Sequence, residues 1–248
     1  MLFSFPGTPA TQTGQDVRKE MQKISIFEYR KNKKKTMVEI DVTKNKETFC
    51  NILRSTEREG VESVIEDLEK MGFFEAPASC NHHLNVAGGL VQHSLNTFYA
   101  AEKIWEGMKQ LDASIEKEVK RDSLILAALL HDVCKADIYK QSVRKRKTRL
   151  GEWVDCDCYK VSYKDFPMGH GEKSVILLLC SGLELDDAEM LAIRWHMGSW
   201  GINMNSIEDQ KCFDTAKELY PLVSIIQSAD SLAAGLLERK TTDEEEDY

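Results

Sequence analysis

The chain has 248 residues, 42% of them hydrophobic, with a formal charge of −8 and a pI of about 5.4. That length suits one domain of ordinary size with extensions, and the acidic balance excludes a protein that holds nucleic acid by bulk charge alone. No stretch approaches the ~20 apolar residues of a membrane span, so no membrane partner is expected. The start lacks the apolar core of a secretory signal. Seven scattered cysteines, an odd number, read as reduced thiols of a cytoplasmic protein rather than a disulfide framework.

Residues 1–45 read as a disordered N-terminal extension. Residues 1–36 carry eight Lys/Arg against three Asp/Glu with no apolar period, which favours a solvated leader over a phosphate-binding arm. Met37 is a plausible start. Residues 46–240 read as the folded domain, and 241–248, with five acids and no base, as an acidic tail.

From Glu47 to Gly72, Phe49, Ile52, Leu53, Val61, Val64, Ile65, Leu68 and Met71 recur at helical spacing. Two helices are expected to meet near Gly60, followed by a loop over 73–79. Gly88-Gly89 opens a helix to about residue 107, with Leu90, His93, Thr97, Ala101 and Ile104 on one face. A helix over about 117–134 follows. Residues 136–168 are rich in strand-type residues, including Tyr139, Val143, Trp153, Val154, Tyr159 and Val161, and read as an inserted β-hairpin turning at Leu150-Gly151-Glu152. Pro167 to Gly171 closes it and starts a helix to about Ser181. Asp186-Asp187 caps the next helix, which ends at His196. Pro221 suits the first turn of a last helix over 221–240.

His131-Asp132 ends the apolar run Leu124 to Leu130. An imidazole and a carboxylate buried there cost several kcal/mol unless a metal or a charge partner compensates. Asp230 is a second acidic interruption, after Leu222 to Ala229. With His93, His170 and His196 these residues form an ordered series of four histidines and two aspartates, which reads as a metal site assembled from several helices.

Five segments resemble the HD superfamily of metal-dependent phosphohydrolases: Gly88 to Ser94, Leu129 to Lys135, Gly169-His170-Gly171, Arg194-Trp195-His196, and Ala229-Asp230. The resemblance implies an all-α HD-domain bundle. It implies that His93, His131, Asp132 and Asp230 hold one metal. His170 and His196 mark the subgroup with two divalent transition ions (Mn, Fe, Co, Ni or Zn), with Asp132 bridging. The implied activity is hydrolysis of a phosphate ester of a nucleotide or short oligonucleotide through a metal-bridging hydroxide. A mixed-valence di-iron oxygenase and a non-catalytic nucleotide sensor are the alternatives. The sequence shows no obvious N-terminal OB-type β-barrel and no Gly-Tyr-Pro triplet. These absences disfavour a processive exoribonuclease and the cyclic-di-GMP branch.

Beside Asp132, the candidate catalytic residues are Lys135, one turn on, whose alternative is an exposed helix-end lysine, and Arg194 as a second phosphate clamp whose alternative is an ion pair. Ser174 reads as a satisfied helix serine. His83 is a candidate substrate contact against the default of a solvated loop residue. Arg144, Lys145, Arg146, Lys147 and Arg149, five cations in six residues, are candidates to guide a polyphosphate or single strand, against the alternative of a solvated hairpin tip. Cys156 and Cys158 read as alternating strand residues rather than a zinc hook. The oligomeric state stays open.

Overall fold

The structure, a computed structural model, describes residues 40–148 and 151–239. The expectations for the charged leader, for Arg149-Leu150 at the hairpin tip and for the acidic tail fall outside those residues.

Helix α1, Val42–Arg54, opens where the Asp41 carboxylate accepts the Lys44 amide at 3.0 Å. It starts inside the stretch read as extension and buries Phe49, Cys50 and Leu53. Helix α2, Val61–Met71, is bounded by Gly60 and Gly72, both left-handed, and buries Val61, Val64, Ile65 and Leu68. Phe73 and Phe74 follow in a turn, yet both are buried, with ring centroids 5.3 and 5.7 Å from Phe49. The expected loop is therefore part of the core.

Helix α3, Gly89–Leu111, is followed by the short α4, Ile115–Glu118, and then α5, Arg121–Leu130. The single helix expected over 117–134 is broken at Val119-Lys120, and it stops before the His-Asp pair. Every residue of α5 from Ser123 to Leu130 is buried. A helix apolar on all sides belongs at the centre, and α5 packs against α3 and against two later helices, α8 (Asp187–Trp195) and α10 (Pro221–Leu232). Truncating a leucine such as Leu126 there would cost ~2–5 kcal/mol.

After α6, Lys135–Ile138, comes the inserted hairpin, shorter than the expected 136–168. β1, Tyr139–Lys147, pairs antiparallel with β2, Trp153–Val161, from Tyr139 opposite Val161 to Lys147 opposite Trp153. The return segment is tied down by Lys173, a buried lysine whose ammonium donates to the Phe166 carbonyl at 2.9 Å and pairs with Asp137.

Helix α7, His170–Cys180, packs on α8, which opens with a capping box in which Asp186 and Glu189 satisfy each other's backbone amides. A 3₁₀ turn, Gly198–Gly201, leads to α9, Ile207–Leu219, which the sequence reading did not anticipate. α10 begins at Pro221 as expected, but its regular part ends at Leu232 and a π-helical turn runs over Ala233–Leu237. Among the described residues no helix is long and apolar enough to cross a membrane.

Candidate metal centre

His131 and His196 occupy the same place on two helices. Each caps the C-terminus of its helix, α5 or α8, in right-handed helical conformation. Each donates from Nδ1 to the carbonyl three residues back, Ala128 at 2.9 Å and Ile193 at 2.7 Å. A helix end leaves carbonyls without intrahelical partners. Satisfying one with Nδ1–H fixes the tautomer and turns an unprotonated Nε2 outward. His93 joins them from the second turn of α3, and Asp230 from α10.

Two glycines permit the approach. A Cβ on Gly89 would collide with the Leu84 carbonyl, so the residue 78–88 loop could not lie against the start of α3. A Cβ on Gly171 would collide with the Arg194 carbonyl, which would push α7 and its His170 away from α8 and its His196.

The polar atoms then converge. His93 Nε2 lies 3.2 Å from His131 Nε2, 3.1 Å from Asp230 Oδ1 and 3.4 Å from Asp132 Oδ2. His131 Nε2 lies 3.3 Å from the same Asp132 Oδ2. The other oxygen, Asp132 Oδ1, lies 2.5 Å from His170 Nε2 and 3.3 Å from His196 Nε2. Asp132 therefore divides its two oxygens between two histidine pairs. The His196 Nε2 contact is not aligned as a hydrogen bond, and this buried atom has no other partner among the described residues. His93, His131, Asp132 and His196 are fully or almost fully buried.

Charge in this space is held by the neighbours. Burial alone would lower the His93 imidazole, but hydrogen bonds to Asp132, Asp230 and Glu238 outweigh it and hold it well above the usual histidine range. Burial likewise opposes ionisation of Asp132, and Lys135, His131 and His170 reverse it, holding the carboxyl well below its ordinary value. Asp230 is lowered in the same way by His93, His131 and His196 against its own burial. His131 and His170 are pushed down, chiefly by burial.

A family model for the HD domain matches residues 90–235. The chain belongs to the HD domain family. It is also similar to the dihydroneopterin 2′,3′-cyclic phosphate phosphodiesterase of Methanocaldococcus jannaschii, at 39% identity over 61 residues, 25% of this chain and 23% of that protein. The chain thus aligns with about a quarter of that relative's length. No solved structure matches the chain.

The HD domain here fits divalent ions. The triads His93-His131-Asp230 and His131-Asp132-His196 each bring three ligand atoms within 4.8 Å of one another. Imidazole with carboxylate suits Mn, Fe, Co, Ni or Zn rather than an ion preferring oxygen alone. The site is a candidate on this chemistry as well as on the family match.

The other sequence candidates are placed as follows. Lys135 is buried with its Nζ 2.5 Å from Asp132 Oδ2. Burial would lower its ammonium, but Asp132 and Tyr139 outweigh it and raise it above the usual lysine range. Arg194 does not join the histidines: its guanidinium pairs with Glu172 at 2.5 Å and stacks on the Trp195 ring at 3.8 Å, joining α7 to α8. Ser174 accepts the Cys134 amide at 3.4 Å. His83 is half-buried with its ring centroid 5.0 Å from that of His93, and burial lowers its imidazole to about 4. Ser79 holds that loop by accepting the His82 amide and donating to the His83 carbonyl, both at 2.8 Å. Leu84 next to it has φ +44°, a strained conformation for a leucine.

The hairpin divides its cations. Side chains alternate along a strand, so Arg144 and Arg146 share a face with Lys140 and, across the pair, Lys160. Lys145 lies opposite Asp155 and Lys147 opposite Trp153 on the other face. Cys156 and Cys158 are free thiols on β2. They belong to none of the metal-competent groups among the described residues.

Sequence reasoning missed Glu238. Both its oxygens lie 3.0 Å from His93 Nδ1. It stands among charged residues at the end of the helix expected over 221–240, so no pattern distinguishes it.

Proposed function

We propose that this HD domain is a metal-dependent phosphohydrolase that cleaves phosphate esters of a nucleotide or short oligonucleotide, using two transition ions. The observation that carries the reading is the division of the Asp132 carboxylate between His93 and His131 on one side and His170 and His196 on the other. One carboxylate serving two histidine pairs is what a bridge between two ions requires. His93, His131 and Asp230 would hold one ion, His170 and His196 the other.

Bound there, the ions would supply Lewis acidity and a water deprotonated near neutral pH. The protein's own contribution is to hold six ligand side chains in a buried space where charge interactions are strong. Lys135 would place a positive charge beside the same carboxylate, suited to a phosphate oxygen or to a leaving group gaining negative charge. His83 would border the site from the strained loop. Arg144, Lys145, Arg146 and Lys147 project on the hairpin that begins directly after α6 and so starts two turns from Asp132; they would guide an anionic strand. Arg194, committed to Glu172, would act by holding α7 against α8.

The relative's name supports an ester of the phosphodiester class. The test is turnover of bis-p-nitrophenyl phosphate and of a nucleoside 2′,3′-cyclic phosphate by apo protein reloaded with Mn(II). Metal-dependent turnover of either is expected. Oxygen uptake with bound iron and no hydrolysis of either ester would overturn the reading in favour of an oxygenase. Nucleotide binding without turnover would overturn it in favour of a sensor.

A further inference from the structure

Glu238 lies beyond residue 235, where the family match ends, yet its carboxylate is buried against the histidine cluster. Its two oxygens face His93 Nδ1 at 3.0 Å each, and Asn96, on the same helix as His93, donates to Oε1 at 2.8 Å. Nothing about HD ligation accounts for this carboxylate, which contacts the side of His93 turned away from Asp132 and Asp230.

The backbone explains how it arrives there. Asp230 and Glu238 are eight residues apart, which in a regular helix leaves them about 80° apart around the axis. The π-helical turn intervenes, and the Glu238 amide donates to the Ala233 carbonyl five residues back at 3.1 Å. A wider turn unwinds that offset and returns Glu238 to the α3 side.

An ionised carboxylate only accepts hydrogen bonds, so the hydrogen of a neutral His93 resides on Nδ1 and Nε2 is left as a lone pair. We propose that Glu238 is a positioning residue for His93, holding its ring and its Nδ1–H tautomer so that Nε2 is offered to a divalent cation. This rests on the metal reading above. Asn96 and the buried setting supply what such a partner needs: the carboxylate is itself held, and its effect is not diluted by water. Partners of this kind behind a ligating histidine typically change metal affinity by about 10–100-fold.

The ligand atoms of His83, His93 and Glu238 also lie within 4.8 Å of one another, close enough to hold a third ion. The geometry favours the positioning role, because His83 Nε2 is 3.8 Å from Glu238 Oε2 and makes no hydrogen bond among the described residues, while both carboxylate oxygens are directed at His93.

The experiment is calorimetric titration of the full-length apo protein with Mn(II) alone, for wild type, Glu238→Gln and Glu238→Ala, with circular dichroism of each apo protein. The expected result is Mn(II) affinity about 10–100-fold weaker in Glu238→Ala. Glu238→Gln should fall between, because its amide oxygen still accepts from Nδ1–H, and both apo spectra should match wild type. A merely structural role would alter the apo protein and leave the affinity of its folded fraction unchanged. If Glu238→Ala fails to fold, Glu238→Gln decides. Folded variants that bind Mn(II) as tightly as wild type would overturn this inference alone, and so would a third ion in wild type that vanishes in both variants. Wild type that binds no Mn(II) would overturn the metal reading itself, and this inference with it.

Discussion

His93 Nε2 and His131 Nε2 face each other at 3.2 Å, and in their neutral forms neither carries a proton to share. The Nδ1 of one donates to Glu238 and that of the other to the Ala128 carbonyl. Two acceptors that close, with Asp230 and Asp132 beside them, call for positive charge between them, which a proton on His93 supplies here and a divalent ion would supply in its place.

Removing His131 or Asp132 leaves the remaining atoms of this cluster without a common partner. His131→Ala and Asp132→Ala are each expected to abolish metal retention and phosphodiester turnover together. Elemental analysis of the purified variants checks the first and the chromogenic diester assay the second. Wild-type turnover in either variant would refute the site.

Gly171 predicts an asymmetric defect. Gly171→Ala sets a methyl against the Arg194 carbonyl, and overpacking of that kind costs ~1–3 kcal/mol. It should move His170 away from His196 and leave His93, His131 and Asp230 in place. The variant is expected to keep one ion and lose the other. Retention of the wild-type metal content would show that α7 accommodates the methyl without moving the ligand.

The hairpin prediction separates guiding from chemistry. Changing Arg144, Lys145, Arg146 and Lys147 to Ser should raise KM for an oligonucleotide several-fold and leave a mononucleotide ester nearly unaffected, with the oligonucleotide effect shrinking at high salt. Equal loss on both substrates, or none on either, would remove the hairpin from the substrate path.

Stability should depend on pH through Glu189, a fully buried carboxylate held by Arg58 at 2.7 and 2.9 Å and by the capping box. Burial would raise it, but Arg58, Ser123 and the Asp186 amide outweigh that and hold it below its ordinary value. A lowered carboxylate stabilises fully above its unfolded value of about 4.3 and loses that contribution as pH falls through the lower folded value. Glu189→Gln should therefore cost about 2 kcal/mol near pH 7, moderated by the partial exposure of Arg58. That gap should narrow as pH falls below about 4.3 and close only below the lowered folded value. Urea unfolding across pH 3–7 checks it, and a gap that does not change with pH would contradict the assignment.

The sequence showed the helical class, the Pro221 and Asp186 starts, the hairpin and the ordered histidines and aspartates, because each breaks a local pattern. His131 and Asp132 interrupt a leucine run, and Asp230 interrupts another. Residues whose role depends on distant partners were not legible. Phe73 and Phe74 have no period to show that they pack on Phe49. Helix α9 buries only Phe213 and Ala216, too little for an apolar stripe. Arg194 reads equally as a phosphate clamp or an ion pair, and its pairing with Glu172, on another helix, is not visible in the local pattern. Glu238 depends on a π-helical turn that no residue pattern announces.

The most direct test of the account is the metal content of full-length protein purified without a metal-binding tag, measured by elemental mass spectrometry beside His196→Ala. The account predicts about two Mn, Fe, Co, Ni or Zn ions per chain in wild type and about one in the variant. No bound metal in wild type, even after reconstitution, or an equal content in both proteins, would contradict it.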